Sequence, residues 1–457
     1  MNTTNTIRVR THRTAISVAL LLLLAASTAA QDLTPKFDEY LNALVKQQRF
    51  VGSVLVARDG KVIFSKGFGL ANAELDAPNT PQTKFRLGSI TKQFTAAAIL
   101  LLQERGKLSV QDPICKYVDS CPSAWSEVTI HHLLSHTGGI PNFTSFPDYQ
   151  PKMMMPVTTQ DMIARFKDKP LDFKPGEKWS YSNSGYFLLG SIIERAAGES
   201  YESFLQKNIF EPLKLTGTGY DHFDTILKNR ATGYSLAKGK MVNSAYLDMT
   251  QPYAAGSLYS TVEDLFLWNE ALYSGKLLSA KSLEAMTTPI MGDYAYGLAV
   301  QTKSGRKVIS HGGGINGFAT FISRFPGERV TIAVLRNADY GNPGPGQISV
   351  DLAAILFGEK YEIPAPHVAI KLDPKIYDAY VGRYELAPTL ILTISREGDR
   401  LMAQATGQPP IELFPESDTK FFLTAIDAKI TFVKDDTGKV THLILHQAGD
   451  RQAKRIT

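Results

Sequence analysis

Residues 89–102 read Ser-Ile-Thr-Lys-Gln-Phe-Thr-Ala-Ala-Ala-Ile-Leu-Leu-Leu. The apolar run predicts a buried helix over residues 93–102, and Gly106 is a suitable stop. A serine hydroxyl is a poor nucleophile until a base takes its proton, and a lysine three positions later lies on the same helical face. Ser89 would also stand at the helix N-terminus, where developing negative charge is stabilised. The stretch therefore predicts a Ser89–Lys92 pair that opens a buried helix.

The Ser-x-x-Lys spacing is not specific by itself. It recurs from Ser235, Ser304 and Ser417, and none of these serines opens a long apolar helix. A purely structural alternative is that Ser89 only caps a helix and that Lys92 is a solvated residue of its first turn. The choice between these interpretations depends on the rest of the chain.

Two further motifs follow Ser89. Residues 181–183 are Tyr-Ser-Asn, which supply a phenol that can transfer protons and an amide that can hold Lys92 or a substrate. Residues 311–314 are His-Gly-Gly-Gly and come after a short strand predicted over residues 307–310. The glycines would let the backbone approach a ligand closely, and an N–H group after them could join that of Ser89 in an oxyanion hole.

In this order, the three motifs resemble those of the serine β-lactamase and penicillin-binding peptidase superfamily, in its class C β-lactamase, D-aminopeptidase and esterase branch. The resemblance covers about residues 35–360. It implies that Ser89 is the acylated nucleophile, and that Lys92 and Tyr181 are the proton-transfer groups, with the primary base left open. The remaining implied roles are substrate orientation by Asn183, His311 and Gly313, and oxyanion binding by the backbone N–H groups of Ser89 and Gly314.

The resemblance implies a serine hydrolase that needs no cofactor and cleaves D-amino acid-containing amide or peptide bonds, or ester bonds. The β-lactamases mostly carry lysine at the third motif, whereas this chain has His311. An imidazole is mostly neutral at pH 7, so we expect carboxylate-bearing lactams to be poorer substrates. The alternatives are a β-lactamase or DD-carboxypeptidase, and a non-catalytic sensor of cell-wall peptides or β-lactams.

Two rival sites are weaker. His132 and His136 are four residues apart on a helix predicted over residues 131–136 and could bind zinc, but the metalloprotease form needs glutamate where Leu133 stands. The His-Gly run also resembles a lipase oxyanion loop, yet the chain contains no Gly-x-Ser-x-Gly. We therefore expect no metal, and a small molecule or short peptide as substrate.

The N-terminus predicts export. Residues 1–30 combine three arginines, an apolar run and small residues before position 31, as in a cleaved signal peptide, so we expect a periplasmic or secreted protein without a stable membrane anchor. Without these residues the formal charge falls from +5 to +2, and this near-neutral balance argues against a nucleic-acid partner. Export also favours a disulfide between Cys115 and Cys121 over half of a metal site. Oligomeric state is not predicted.

The pattern of strands and helices predicts two folded units. Strands over residues 51–57 and 62–68, joined at Asp59-Gly60, should share one sheet with strands over residues 317–325 and 329–335. We thus expect, over residues 31–361, an α/β domain of the α+β type: an antiparallel sheet flanked by helices, with a mostly helical insertion. A linker over residues 362–375 and a small all-β barrel over residues 376–457 follow, and the barrel resembles the lipocalin-like barrel of some superfamily members.

Overall fold

The computed structural model describes residues 32–237, 239–363, 369–387, 390–408, 410–423, 428–447 and 450–456. The predicted signal peptide and residues 364–368 of the predicted linker lie outside the described residues. Among the helices that are described, none combines the length and apolarity needed to cross a bilayer.

The larger unit contains helices and short strands. Its helices are α1 (Thr34–Lys46), α2 (Thr91–Glu104), α3 (Ile130–Leu134), α4 (Tyr149–Lys152), α5 (Thr159–Ala164), α6 (Asn183–Ala197), α7 (Tyr201–Leu205), α8 (Glu211–Leu213), α9 (Val262–Tyr273), α10 (Ala280–Thr287) and α11 (Pro345–Phe357). Its strands are β1 (Gly52–Arg58), β2 (Lys61–Phe68), β3 (Leu70–Asn72), β4 (Ala77–Pro78), β5 (Phe85–Arg86), β6 (Gly219–Tyr220), β7 (Tyr234–Ala237), β8 (Lys240–Asn243), β9 (Leu258–Ser260), β10 (Ala299–Lys303), β11 (Arg306–Ile315), β12 (Phe318–Phe325) and β13 (Val330–Arg336).

A six-stranded antiparallel sheet, in the order β10-β11-β12-β13-β1-β2, confirms the predicted fold class. The first and last strands of this sheet in sequence order, β1 and β13, are neighbours, and Gly52 pairs with Arg336. Asp59 and Gly60 have φ values of 53° and 72°, the left-handed conformation that a type I′ hairpin turn requires at both positions.

Both faces of the sheet are covered, and the alternation of side chains along β1 shows why. Val54 and Val56 point into a core shared with α1 and α11, whereas Leu55 and Ala57 point into the larger core shared with the helical insertion. Every residue of β1 except Arg58 is buried, as expected for a strand with apolar layers on both sides.

Helix α2 crosses the larger core, and its residues from Thr91 to Leu102 are all buried. A helix that is apolar all round has no face suited to water, so the predicted burial of this segment is confirmed. A single 3-10 turn, Gly88–Ile90, leads into it.

Two local predictions were wrong. Helix α3 stops at Leu134, and His136 has a left-handed backbone with φ 59°, so His132 and His136 do not share a helical face. The strand predicted over residues 307–310 continues as β11 through the three glycines to Ile315, because the glycine backbone pairs with β12.

The C-terminal unit is a closed eight-stranded barrel. Its strands are β14 (Gly382–Ala387), β15 (Leu390–Glu397), β16 (Arg400–Ala405), β17 (Ile411–Pro415), β18 (Lys420–Phe422), β19 (Lys429–Lys434), β20 (Val440–His446) and β21 (Asp450–Arg455). Aromatic rings fill its interior, where Tyr380 stacks on Phe432 with ring centroids 4.3 Å apart. This core consists of residues from Leu372 onward.

Candidate active site

Lys92 lies at the centre of the candidate site and is fully buried. Its Nζ atom is 3.0 Å from Oγ of Ser89, 2.9 Å from Oδ1 of Asn183 and 2.8 Å from the carbonyl oxygen of Ala255. Burial lowers the pKa of Lys92 well below its ordinary value. The alternative in which Lys92 is a solvated first-turn residue is therefore wrong.

The partners of Lys92 determine what a neutral amine can do there. The amide oxygen of Asn183 and the carbonyl oxygen of Ala255 can only accept hydrogen bonds. A neutral amine donates its two protons to these oxygens and keeps its lone pair for the third neighbour, the hydroxyl of Ser89. The arrangement thus suits a base that takes the proton of Ser89.

Asn183 is oriented by the loop that precedes α4. Its backbone N–H donates to Oδ1 of Asn142 at 3.0 Å, and its side-chain Nδ2 donates to Oγ1 of Thr144 at 3.2 Å. Because Nδ2 is engaged in this way, Oδ1 faces Lys92. The amide that the Tyr-x-Asn motif supplies is therefore fixed by two contacts that lie outside the motif.

Tyr181 lies beside the Ser89–Lys92 pair, with its ring centroid 4.8 Å from Nζ of Lys92. Burial raises the pKa of Tyr181, and a hydrogen bond with Ser89 partly opposes this effect. The phenol is therefore neutral at physiological pH and can pass a proton to or from Ser89.

The third motif brings a strand against the start of α2. A Cβ at Gly313 would lie only 1.9 Å from the carbonyl oxygen of Leu87, so only glycine allows this close approach. Next to it, a Cβ at Gly88 would lie 3.1 Å from the backbone nitrogen of Gly314. The backbone of Gly314 thus lies against that of Gly88, the residue before Ser89, while Gly313 packs against Leu87.

His311 lies deeper than the motif suggested. Its Nε2 is 2.9 Å from the hydroxyl of Tyr294, and its Nδ1 is 2.6 Å from the carbonyl oxygen of Gly312. Its ring lies farther from that of Tyr181, with ring centroids 6.4 Å apart. Burial, with a smaller contribution from Lys92, lowers the pKa of His311 to about 4, so this imidazole is neutral at pH 7.

A cavity of about 240 Å³ opens over Ser89. Its lining consists of backbone, apolar side chains, and neutral polar side chains such as Thr144 and Asn316. Among the described residues that line it there is no Asp, Glu, Lys or Arg. The lining residues are Gly88, Ser89, Phe143, Thr144, Tyr149, Asn183, Leu247, Pro252, Ala255, Gly256, Gly314, Ile315 and Asn316.

Sequence reasoning missed three parts of this site. The carbonyl of Ala255 and the hydroxyl of Tyr294 belong to none of the three motifs. His136 has a signal in the sequence, since residues 136–138 form a second His-x-Gly, but we considered it only as a weak zinc ligand. Its ring lies 4.3 Å from that of Tyr181, and its Nε2 is 3.2 Å from the hydroxyl of Tyr294.

Comparisons with known proteins agree with this geometry. Residues 37–354 match the beta-lactamase family model, and residues 366–456 match a domain of unknown function, DUF3471. The chain is 30% identical over 442 residues to penicillin-binding protein 4* of Bacillus subtilis, which covers 90% of this chain and 96% of the relative. It is 32% identical over 327 residues to the putative penicillin-binding protein PbpX of Bacillus subtilis, covering 71% of this chain and 79% of the relative.

Two solved structures have a similar fold. The octameric penicillin-binding protein homologue from Pyrococcus abyssi superimposes with a TM-score of 0.67 at 30% identity, covering 92% of this chain and 99% of that one. The D-stereospecific amidohydrolase from a Streptomyces species gives a TM-score of 0.60 at 26% identity, covering 71% of this chain and 99% of that one.

Proposed function

Because this chain belongs to the β-lactamase family and is a serine hydrolase, we propose that it acts through an acyl-enzyme on Ser89. The substrates are small amides, peptides with D-amino acids, or esters. The observation that carries the proposal is the buried Lys92, whose Nζ meets Ser89, Asn183 and Ala255 within 3.0 Å.

In the proposed reaction, neutral Lys92 takes the proton of Ser89 as the serine oxygen attacks the substrate carbonyl carbon. The backbone N–H groups of Ser89 and Gly314 stabilise the resulting oxyanion. Tyr181 donates its proton to the leaving amine or alcohol and is reprotonated by the Lys92 ammonium, as the bond to the leaving group breaks and the carbonyl re-forms as an ester on Ser89. A water molecule then attacks this ester and gives a proton to the same pair of groups. The bond to the serine oxygen breaks, that oxygen takes the proton back, and the carboxylic acid leaves.

The substrate class follows from charge. Neither His311, which is neutral at pH 7, nor the cavity lining offers a cation to a substrate carboxylate. Uncharged esters and D-amino acid amides suit such a site, and the similarity to a D-stereospecific amidohydrolase supports the amide. The identity to penicillin-binding protein 4* favours a second candidate, a DD-carboxypeptidase or β-lactamase.

We also propose that the protein is exported and that the barrel is a separable domain. Export is supported by the arginines and apolar run within residues 1–30, and by the disulfide between Cys115 and Cys121. Separability is supported by the barrel's own aromatic core.

Covalent labelling tests the nucleophile. A fluorophosphonate or a fluorescent penicillin should label the protein, and peptide mapping should place the adduct on Ser89. Ser89→Ala should abolish labelling, whereas Ser235→Ala, which changes the serine of another Ser-x-x-Lys, should not. A label on another residue would refute the assignment. A penicillin adduct that forms but never hydrolyses would indicate a sensor, whereas a phosphonate adduct persists in either case.

A further inference from the structure

We propose that Tyr294 sets the substrate preference of this site by holding His311 in one neutral tautomer, so that the third motif presents no positive charge. The inference rests on the proposed hydrolase function and specifies its substrate class: esters or amides that are uncharged next to the third motif. Tyr294 is a positioning residue, since it acts through His311.

The direction of each hydrogen bond follows from two backbone groups. The N–H of Ser182 donates to Nδ1 of His136 at 3.2 Å, so in the neutral ring Nε2 carries the proton. That Nε2–H faces the hydroxyl of Tyr294, 3.2 Å away. At the other end, Nδ1 of His311 lies 2.6 Å from the carbonyl oxygen of Gly312, which can only accept.

His311 therefore carries its proton on Nδ1, and its Nε2 is an acceptor. The hydroxyl of Tyr294, which receives a bond from His136, donates its own proton to that Nε2 at 2.9 Å. The five polar side-chain atoms of His136, Tyr294 and His311 are then all hydrogen-bonded. His136 and His311 are opposite tautomers. The neighbouring hydroxyl of Tyr186 donates elsewhere, to the carbonyl oxygen of Leu134 at 2.8 Å.

The surroundings of His311 reinforce this state. The groups that face it are Lys92 from α2, His136 from the loop after α3, Tyr181 from the segment before α6, and Tyr294. None of these groups is an anion that would favour an imidazolium. A proton on Nε2 of His311 would also displace the bond from Tyr294, leaving that hydroxyl in a buried place without its acceptor.

Removing the hydroxyl oxygen of Tyr294 should free His311 from its fixed neutral tautomer. In Tyr294→Phe, Nε2 of His311 loses its donor, and a water molecule in the space of the lost hydroxyl can protonate it. The third motif then gains a pH-dependent cation. The matched control is Tyr296→Phe, which removes a buried hydroxyl that lies 2.6 Å from Nδ1 of His131.

Nitrogen NMR of histidine-labelled protein tests the tautomers directly. The chain contains nine histidines, so His311→Gln and His136→Gln assign the two signals. We expect His311 as the Nδ1–H form and His136 as the Nε2–H form, both unchanged from pH 5.5 to 8. A His311 that carries Nε2–H, or that titrates in this range in the unmodified protein, would overturn the proposal.

Kinetics tests the consequence. Between pH 8 and pH 5.5, the kcat/KM ratio of nitrocefin, which bears a carboxylate, to p-nitrophenyl acetate should rise about tenfold in Tyr294→Phe, mainly through KM. It should stay constant in the unmodified enzyme and in Tyr296→Phe. Equal losses for both substrates at every pH would mean that Tyr294 only packs. Labelling of Ser89, measured in the same samples, reports separately on the hydrolase proposal.

Discussion

Replacing Asn183 by aspartate tests whether Lys92 acts as a neutral base. Aspartate has nearly the same shape as asparagine, and it would place a carboxylate oxygen about where Oδ1 now lies, 2.9 Å from Nζ of Lys92. At that distance the attraction between unit charges is about 1.4 kcal/mol at a dielectric constant of about 80 and about 6 kcal/mol at about 20. The carboxylate therefore stabilises the ammonium form.

The sign of the effect follows from the pKa. Burial lowers the pKa of Lys92 well below its ordinary value, which favours the neutral amine. The new carboxylate raises that pKa, so less base is present at a given pH. We expect the ascending limb of kcat/KM for p-nitrophenyl acetate to move to higher pH by at least about one unit. Activity should return towards the unmodified level above that limb.

The matched control is Asn208→Asp, which makes the same chemical change at a half-buried residue whose Oδ1 accepts from Arg105 in an exposed hydrogen bond. It should leave the profile unchanged. If Asn183→Asp reduced kcat/KM by the same factor at every pH from 6 to 10, the reasoning would be refuted, because the substitution would then disturb geometry and not the protonation of Lys92.

Three further predictions concern stability. Gly313→Ala should destabilise the protein by about 1–3 kcal/mol in urea unfolding, because the new Cβ meets a backbone oxygen at 1.9 Å. Gly314→Ala should leave the stability unchanged, because nothing lies within 4 Å of its Cβ. Equal losses of stability in the two variants would contradict this packing argument. Removing the disulfide with C115S and C121S, which opens a loop with a sequence separation of 6, should cost about 2 kcal/mol and lower the thermal unfolding midpoint. A chain that ends after residue 361 should stay soluble and still be labelled on its nucleophile, whereas aggregation of that chain would show that the two units depend on each other.

The sequence was most informative where local pattern and burial agree. The apolar run after Ser89 predicted α2, since a helix with no polar face must lie in a core. The barrel was predicted from short strand-like runs at residues 390–394, 400–405, 429–433 and 440–446, but its four other strands were not predicted. The last of them, β21, buries only Ala453 and therefore lacks an apolar alternation.

The chemistry of the candidate site was harder to predict than its motifs. Ala255 contributes a backbone carbonyl, which leaves no trace in the residue type. The neutrality of His311 was expected from an ordinary imidazole, but its burial and its bond to Tyr294 depend on segments that meet only in the folded chain. His136 shows the same limit, because its position follows from a left-handed turn after Leu134.

The pairing of β1 with β13 has a consequence for the order of events during synthesis. Gly52 pairs with Arg336, so β1, the first strand of the domain to be synthesised, cannot complete its pairing until β13, the last strand of the sheet, is present. Until β13 joins it, β1 has one unpaired edge that is open to any other strand nearby. Long-range pairing of this kind also slows folding, since a large loop must close before the contact forms. An incompletely folded chain is therefore open to wrong strand pairing, whatever the stability of the finished protein.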